Sequence, residues 1–233
     1  MLDVTFLAHS GFLVDDGKRC YVFDYYKDPN NIVWQLAKRG RELWFFISHS
    51  HADHFNPSIT EFDGPQTRYI CHQDVPLEGK VRKCITMRPG QDANLDDVGI
   101  HMYGSTDEGG SFYVKTDTAN IDSDSIFHAG DLNWWHWLGD TPENNADAKL
   151  MAWREFKELE GLSADVAMFP VDNRLEDAME WGAIEFLRRV QVKKAFIPMH
   201  LNGPLWTPSV YFKSLFGDVP VWEPQKDGDE CTF

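Results

Sequence analysis

Nine histidines occur in the 233 residues, and three of them fall within Ser48-His49-Ser50-His51-Ala52-Asp53-His54. This stretch directly follows Leu43-Trp44-Phe45-Phe46-Ile47, a continuous apolar run that reads as a strand buried on both faces. The histidines are therefore expected on the loop at that strand's C-terminal end, where α/β sheets place ligands. Imidazole and carboxylate together form the ligand set of zinc and related divalent cations. A His pair at i, i+2 followed by Asp-His can aim two pairs of ligands at two nearby points. The plainer alternative is a polar loop that happens to be rich in histidine, and three His and one Asp in six residues argue against it.

The elements that must position this loop can be read in outline. Val4–Leu7, Gly11–Val14 and Tyr21–Asp24 read as strands, with Asp15-Asp16-Gly17 turning between the second and third. Asn31–Lys38 reads as a short helix stopped at Gly40. Further strands are expected at Arg68–Cys71, Ile100–Tyr103, Ser111–Lys115 and Ser125–His128. The second half alternates: helix Ala152–Leu162, strand Asp165–Pro170, helix Leu175–Val190, strand Lys194–Pro198, helix Pro208–Phe216. In the second of these helices Leu175, Met179, Ala183, Phe186, Leu187 and Val190 share one stripe. No repeat and no Pro/Gly/Ser linker interrupts the chain, which predicts one α/β domain built as layers.

Composition narrows the chemistry. Hydrophobic residues make up 42% and charged residues 25%, the profile of a soluble globular chain. The formal net charge of −15 disfavours nucleic acid and anionic membranes as partners, because both are bound by Lys and Arg patches. No apolar run reaches the ~18 residues of a membrane span. Met1-Leu2-Asp3-Val4 does not read as the start of an export signal, and Cys20, Cys71, Cys84 and Cys231 form no CxxC, so reduced thiols and a cytoplasmic location are expected.

His49-Ser50-His51-Ala52-Asp53-His54 resembles the HxHxDH signature of the metallo-β-lactamase superfamily, and the companions of that signature follow in order. Asp24 ends an early strand in Val22-Phe23-Asp24. Asp131 stands in Phe127-His128-Ala129-Gly130-Asp131, and His200 follows the late strand in Phe196-Ile197-Pro198-Met199-His200. The resemblance covers most of the chain, between residues 5 and 202. It implies a four-layer αββα sandwich in a single domain, 1–233, with a dinuclear site at one edge. The implied ligands are His49, His51, Asp53, His54, Asp131 and His200, with Asp131 bridging and Asp24 supporting from behind. His9-Ser10-Gly11-Phe12 is similar to the Gly-His-Ser-type start of the branch that includes ascorbate-6-phosphate lactonase.

One companion departs from the pattern. Where the family usually has a third His before a Gly-Ser turn, this chain has Tyr103-Gly104-Ser105-Thr106-Asp107-Glu108-Gly109-Gly110-Ser111, which puts Asp107 in that place. A carboxylate is harder than imidazole and would favour manganese or iron over zinc. The alternatives are a degraded first site with only the second one filled, and an ordinary turn Asp.

The resemblance implies one or two divalent cations, Zn2+ or Mn2+/Fe2+, which lower the pKa of bound water toward ~7. The resulting hydroxide would attack a small-molecule ester, lactone or phosphodiester, with Asp53 as the catalytic carboxylate that handles the proton. Other readings are a small-molecule phosphodiesterase and a non-catalytic metal- or ligand-binding protein on the same scaffold. For substrate binding the candidates are His9 at the site edge, Ser105, Arg174 on the loop after Val166–Pro170, and at least one of Trp134 and Trp135. The dull alternatives are a strand-end His, a surface salt bridge and aromatic packing. The Trp-rich loops could instead serve a homo-oligomer interface.

Overall fold

The computed structural model describes Met1–Phe233. β1 (Asp3–Ala8), β2 (Gly11–Asp15) and β3 (Cys20–Phe23) form an antiparallel meander, and β4 (Leu43–Ile47), β5 (Thr67–His72) and β6 (Cys84–Met87) extend it in parallel. A second sheet follows. β7 (Gln91–Leu95), β8 (Val98–Tyr103), β9 (Ser111–Lys115) and β10 (Ser125–His128) are antiparallel, and β11 (Ser163–Pro170) and β12 (Gln191–Met199) add in parallel. β13 (Glu230–Thr232) returns to the first sheet and pairs with β1. The strand orders are β13-β1-β2-β3-β4-β5-β6 and β12-β11-β10-β9-β8-β7.

The layering follows from which strand faces are apolar. All five residues of β4 are buried, and they alternate between two clusters. Trp44 and Phe46 point to the sheet–sheet interface, where Phe23 stacks on Phe46 at 4.9 Å and Phe46 meets Phe112 of the other sheet at 5.3 Å. Leu43, Phe45 and Ile47 point outward onto Val33 of α1 (Ile32–Lys38) and onto Ile59 and Phe62 of the 3-10 turn Pro57–Phe62. Each buried ring contributes about 1.5–3 kcal/mol relative to exposure. The second sheet is covered by α2 (Pro142–Glu158) and α3 (Trp181–Leu187), and α4 (Val210–Phe216) packs beside them through Phe212. The result is the expected four-layer αββα sandwich. No helix is long and apolar enough to cross a membrane.

Several elements differ from the sequence reading. α2 starts at Pro142, ten residues before the expected Ala152, and ends at Glu158. Thr141 caps it by accepting from Asn144 N at 3.1 Å, but its polar first half buries nothing and so carries no apolar signal. The expected helix Leu175–Val190 is broken: it is replaced by a 3-10 turn, Asn173–Ala178, kinked within at Glu176, which has φ +53°, and by α3, which starts only at Trp181. Its apolar stripe is nevertheless buried, Met179 only partly. β6, β7 and β13 were not anticipated. They are short edge strands, and β7 buries none of its five residues fully.

At the N-terminal end of β3 the two sheets are clamped by charge. Arg19, 3% exposed, reaches Asp97 of the β7–β8 turn and lies over the Trp44 ring, and Lys18 Nζ stands 2.5 Å from the same carboxylate. These hydrogen bonds hold the Asp97 carboxyl down at about 2. A folded value below the unfolded one contributes stability that is present above the unfolded value and lost as pH falls through the folded value. Wild type is therefore expected to exceed Asp97→Asn by about 1–2 kcal/mol near neutral pH, with the margin closing between pH ~4 and ~2 in urea unfolding. An unchanged margin across that window would remove the ion pair from the account.

Candidate metal centre

Six chain segments meet at the opposite edge, at the C-terminal ends of strands from both sheets. The β1–β2 turn brings His9, the end of β3 brings Asp24, and the loop after β4 brings residues 49–54. The second sheet brings Asp131 after β10, Asp172 after β11 and His200 after β12. The loop 104–110 closes from the side. Glycine lets it do so: Gly109 has φ +75°, and a Cβ there would lie 2.0 Å from the Ser48 carbonyl oxygen. Gly130, with φ +54°, approaches Ser48 from the Asp131 loop, where a Cβ would lie 2.8 Å from Ser48 Cβ.

Asp131 is the centre of the arrangement. Its Oδ1 lies 3.1 Å from His54 Nε2 and 3.5 Å from His200 Nε2, and its Oδ2 lies 3.5 Å from His49 Nε2. Each of these three imidazoles is held from behind through Nδ1. His54 Nδ1 is 2.7 Å from Asp24 Oδ2, His49 Nδ1 is 2.9 Å from Ser48 Oγ, and His200 Nδ1 is 2.9 Å from Asp172 Oδ2. Ser48 is itself fixed, since its backbone N and its Oγ both donate to Asp24, at 2.8 and 2.7 Å. With Nδ1 engaged, each ring turns its Nε2 toward the Asp131 carboxylate, which is the orientation metal-ligating histidines adopt.

The electrostatics agree with this geometry. Burial would lower His54, but Asp24 and Asp131 on either side outweigh it and lift the ring to about 10. Burial likewise works against Asp131, yet His54, His200 and His49 hold its carboxyl well below the usual carboxylate range. His49 is pushed down, first by burial and then by His54.

The donor set fits a divalent cation. His9 Nε2, His49 Nε2, His54 Nε2 and Asp131 Oδ1 are buried and have no hydrogen-bond partner. Buried polar atoms left unpaired cost about 1–3 kcal/mol each, so four in one place call for an occupant. Three groups each offer ligand atoms within 4.8 Å of one another: His9, Asp53, His54 and His200; His49, His54 and Asp131; His51, Asp107 and Asp131. Asp107 is thus placed beside His51 and Asp131, with Glu108 adjacent at 3.3 Å from His51 Nε2. Asp53, half exposed, faces His9 Nε2 across 3.3 Å.

The remaining candidates separate. Trp135 lies at the centre: its Nε1 donates to the Asp131 carbonyl at 2.9 Å, its ring is 5.5 Å from His200, and it stacks on Trp137. Trp134 does not. Its ring packs into the helix layer against Trp153 of α2 and Trp181 of α3, so its substrate-binding reading is corrected to a packing role. The unanticipated first half of α2 contributes Lys149 to that pocket. Arg174 forks onto Asp172 through Nε, 3.0 Å from both oxygens, and leans on Trp137, so it steadies the carboxylate behind His200. Ser105 Oγ accepts only from Asp107 N, at 3.4 Å. Thr106 instead ties the loop across to Asn133 O at 2.6 Å. His128 is core, stacked on Phe23 and bonded to Ser10 O.

Sequence reasoning did not single out Ser48, Glu108 or the role of Asp172. Adjacency to His49 and Asp107, and a strand-end position, were the only signals. Cleft size does not locate this centre either. A cleft of about 580 Å³ lies against α1 and β13 and holds no histidine, whereas one of about 360 Å³ borders His9, Tyr26 and Asn202.

Fold and donor set together define a class. The chain has the metallo-β-lactamase fold: it is similar over 100% of its length, and over 98% of the other chain, to Igni18, a metallo hydrolase from Ignicoccus hospitalis, with TM-score 0.67 and 17% identity. It is also similar to the metallo-β-lactamase fold protein YhfI from Bacillus subtilis, with TM-score 0.59, 13% identity and coverage of 99% and 98%. At the sequence level it is 25% identical over 218 residues to a UPF0173 metal-dependent hydrolase from Pelotomaculum thermopropionicum, spanning 86% of this chain and 85% of that one. No family model matches the chain.

Proposed function

We propose that the protein is a metal-dependent hydrolase of a small-molecule substrate. The observation that carries this reading is the convergence of unpartnered, buried His49 Nε2, His54 Nε2 and Asp131 Oδ1 from opposite sheets. His49, His51, Asp107 and Asp131 would hold one cation and Asp53, His54, His200 and Asp131 the other, with Asp131 shared. Divalent cations bound there supply Lewis acidity and bring the pKa of a coordinated water toward ~7.

The chain's own residues do the rest. Asp24, Ser48 and Asp172 hold the imidazoles in the ligating tautomer. Asp53, half exposed at the mouth, is placed to take a proton from the solvent side. Trp135, with Trp137 stacked on it, walls the flank beside His200. The carboxylates Asp107 and Glu108 beside His51 favour a harder ion, manganese or iron(II), over zinc. An ester, lactone or phosphodiester is the expected substrate class, and the His9-Ser10-Gly11 start favours the lactonase-like branch. The net charge of −15 favours small molecules over polyanions. A cytoplasmic location is part of the proposal.

The test is to strip the purified protein with chelator, reload it with Mn2+, Fe2+ or Zn2+, and screen lactones, esters and phosphodiesters. Turnover that vanishes on stripping and returns with one cation is expected. Tight metal binding with no turnover on any class would favour a binding protein on this scaffold.

A further inference from the structure

We infer that His9 is a direct metal ligand, completing the site formed by Asp53, His54 and His200. The inference rests on the metal-dependent reading above and gives the two sites different donor sets.

His9 belongs to the β1–β2 turn, far in sequence from the other donors, and nothing in the HxHxDH pattern includes it. Its position is held by backbone strain and by packing. It has φ +57°, a left-handed value that costs a residue with a Cβ about 1–2 kcal/mol. His200, at φ +59°, shares that conformation, and its N–H donates to the His9 carbonyl at 3.1 Å, so the two residues are locked together across the two sheets. The His9 ring then lies 4.1 Å from the His200 ring, 5.6 Å from His54 and 6.4 Å from Tyr26, centroid to centroid. Its Nε2 is buried and without a hydrogen-bond partner. Ligand atoms of His9, Asp53, His54 and His200 lie within 4.8 Å of one another.

A simple His–Asp ion pair does not account for this. Asp53 Oδ2, at 3.3 Å, makes no hydrogen bond with His9 Nε2, and two further imidazoles, His54 and His200, share the same small volume. Three rings crowded round a carboxylate are mutually repulsive when protonated and mutually supportive round a cation. Strain concentrated at two of the crowded residues is also what a ligand clamp stores.

The consequence is an asymmetric pair of sites. One cation would have three imidazoles and Asp53 from three separate segments, with Asp131 adjacent. The other would draw on His49, His51, Asp107 and Asp131, two imidazoles and two carboxylates, a harder donor set.

Titrating Co2+ into chelator-stripped protein, read by visible absorption and calorimetry, tests this without any substrate. Wild type is expected to show two classes of sites. His9→Gly suits the position because glycine accepts the left-handed backbone without strain and leaves a hole the size of the ring. In that variant the tighter class is expected to weaken by about 100-fold, the upper end of what is lost when only an outer partner of a ligand is removed. The weaker class should stay as it was, and free imidazole should restore the wild-type absorption spectrum. A His9→Gly protein with wild-type affinities and spectrum would overturn the inference. So would a weakened site that imidazole fails to rescue, because that pattern marks a merely structural His9. Wild type with no tight cobalt at all would instead overturn the metal-dependent reading itself.

Discussion

Asp131→Ala is expected to empty both sites at once and to lower turnover by about a thousandfold, or roughly 4 kcal/mol of transition-state stabilisation. The magnitude follows from position. Asp131 is the one residue that lies within 3.5 Å of His49, His54 and His200 together, so no single neighbour can replace it. Its removal also takes away one of the two carboxylates that flank His54. The measurement is metal content by mass spectrometry on the stripped and reloaded variant, alongside its rate on whichever substrate wild type hydrolyses. A variant that still holds two equivalents would show that Asp131 is not shared between the sites. One that keeps its rate would sink the hydrolytic assignment.

Asp24→Ala is expected to have the largest effect on the fold itself. Asp24 is 1% exposed and accepts from Ser48 N, from Ser48 Oγ and from His54 Nδ1. Truncation strands three donors in a dry interior and removes the partner of a buried charged imidazole, which together cost about 3–5 kcal/mol. It should also weaken cation binding by about 10–100-fold, because His54 loses what fixes its tautomer. Urea unfolding of the metal-free variant separates the two effects from metal loss. A metal-free stability equal to wild type would show that Asp24 serves the cation alone. Asp24→Asn, which keeps the shape and loses the charge, should show the smaller stability loss of the two.

How far these residues could be read in advance depended on whether their role is local. His49, His51, Asp53 and His54 announce themselves because four donors sit in six positions after a five-residue apolar strand. Asp131 and His200 are legible because each stands where the resemblance puts a companion of that signature, just beyond a strand. Asp24 is legible for the same reason. Asp172, Ser48 and Glu108 are not, since an Asp at a strand end or a Ser beside a His acquires meaning only from what it touches. Trp134 and Trp135 show the limit most directly. They are adjacent and identical, yet one faces His200 and the other faces α2 and α3, and the first half of α2, residues 142–149, has no apolar residue larger than alanine after its Pro142, and so no apolar stripe to read. The fold was legible where strands are buried on both faces and opaque at the edges, where β6, β7 and β13 have only one neighbour or little to bury.

The donors around Asp131 come from both sheets, and His9 and His200 stand roughly 190 residues apart along the chain. A cation gripped by both would tether them as a disulfide tethers distant cysteines, and a closure that long removes several kcal/mol of freedom from the unfolded chain. The four cysteines are free thiols and provide no such cross-link. In this protein the reagent for chemistry and the fastener of the architecture would be the same ion, so part of its binding energy is spent on holding the molecule folded.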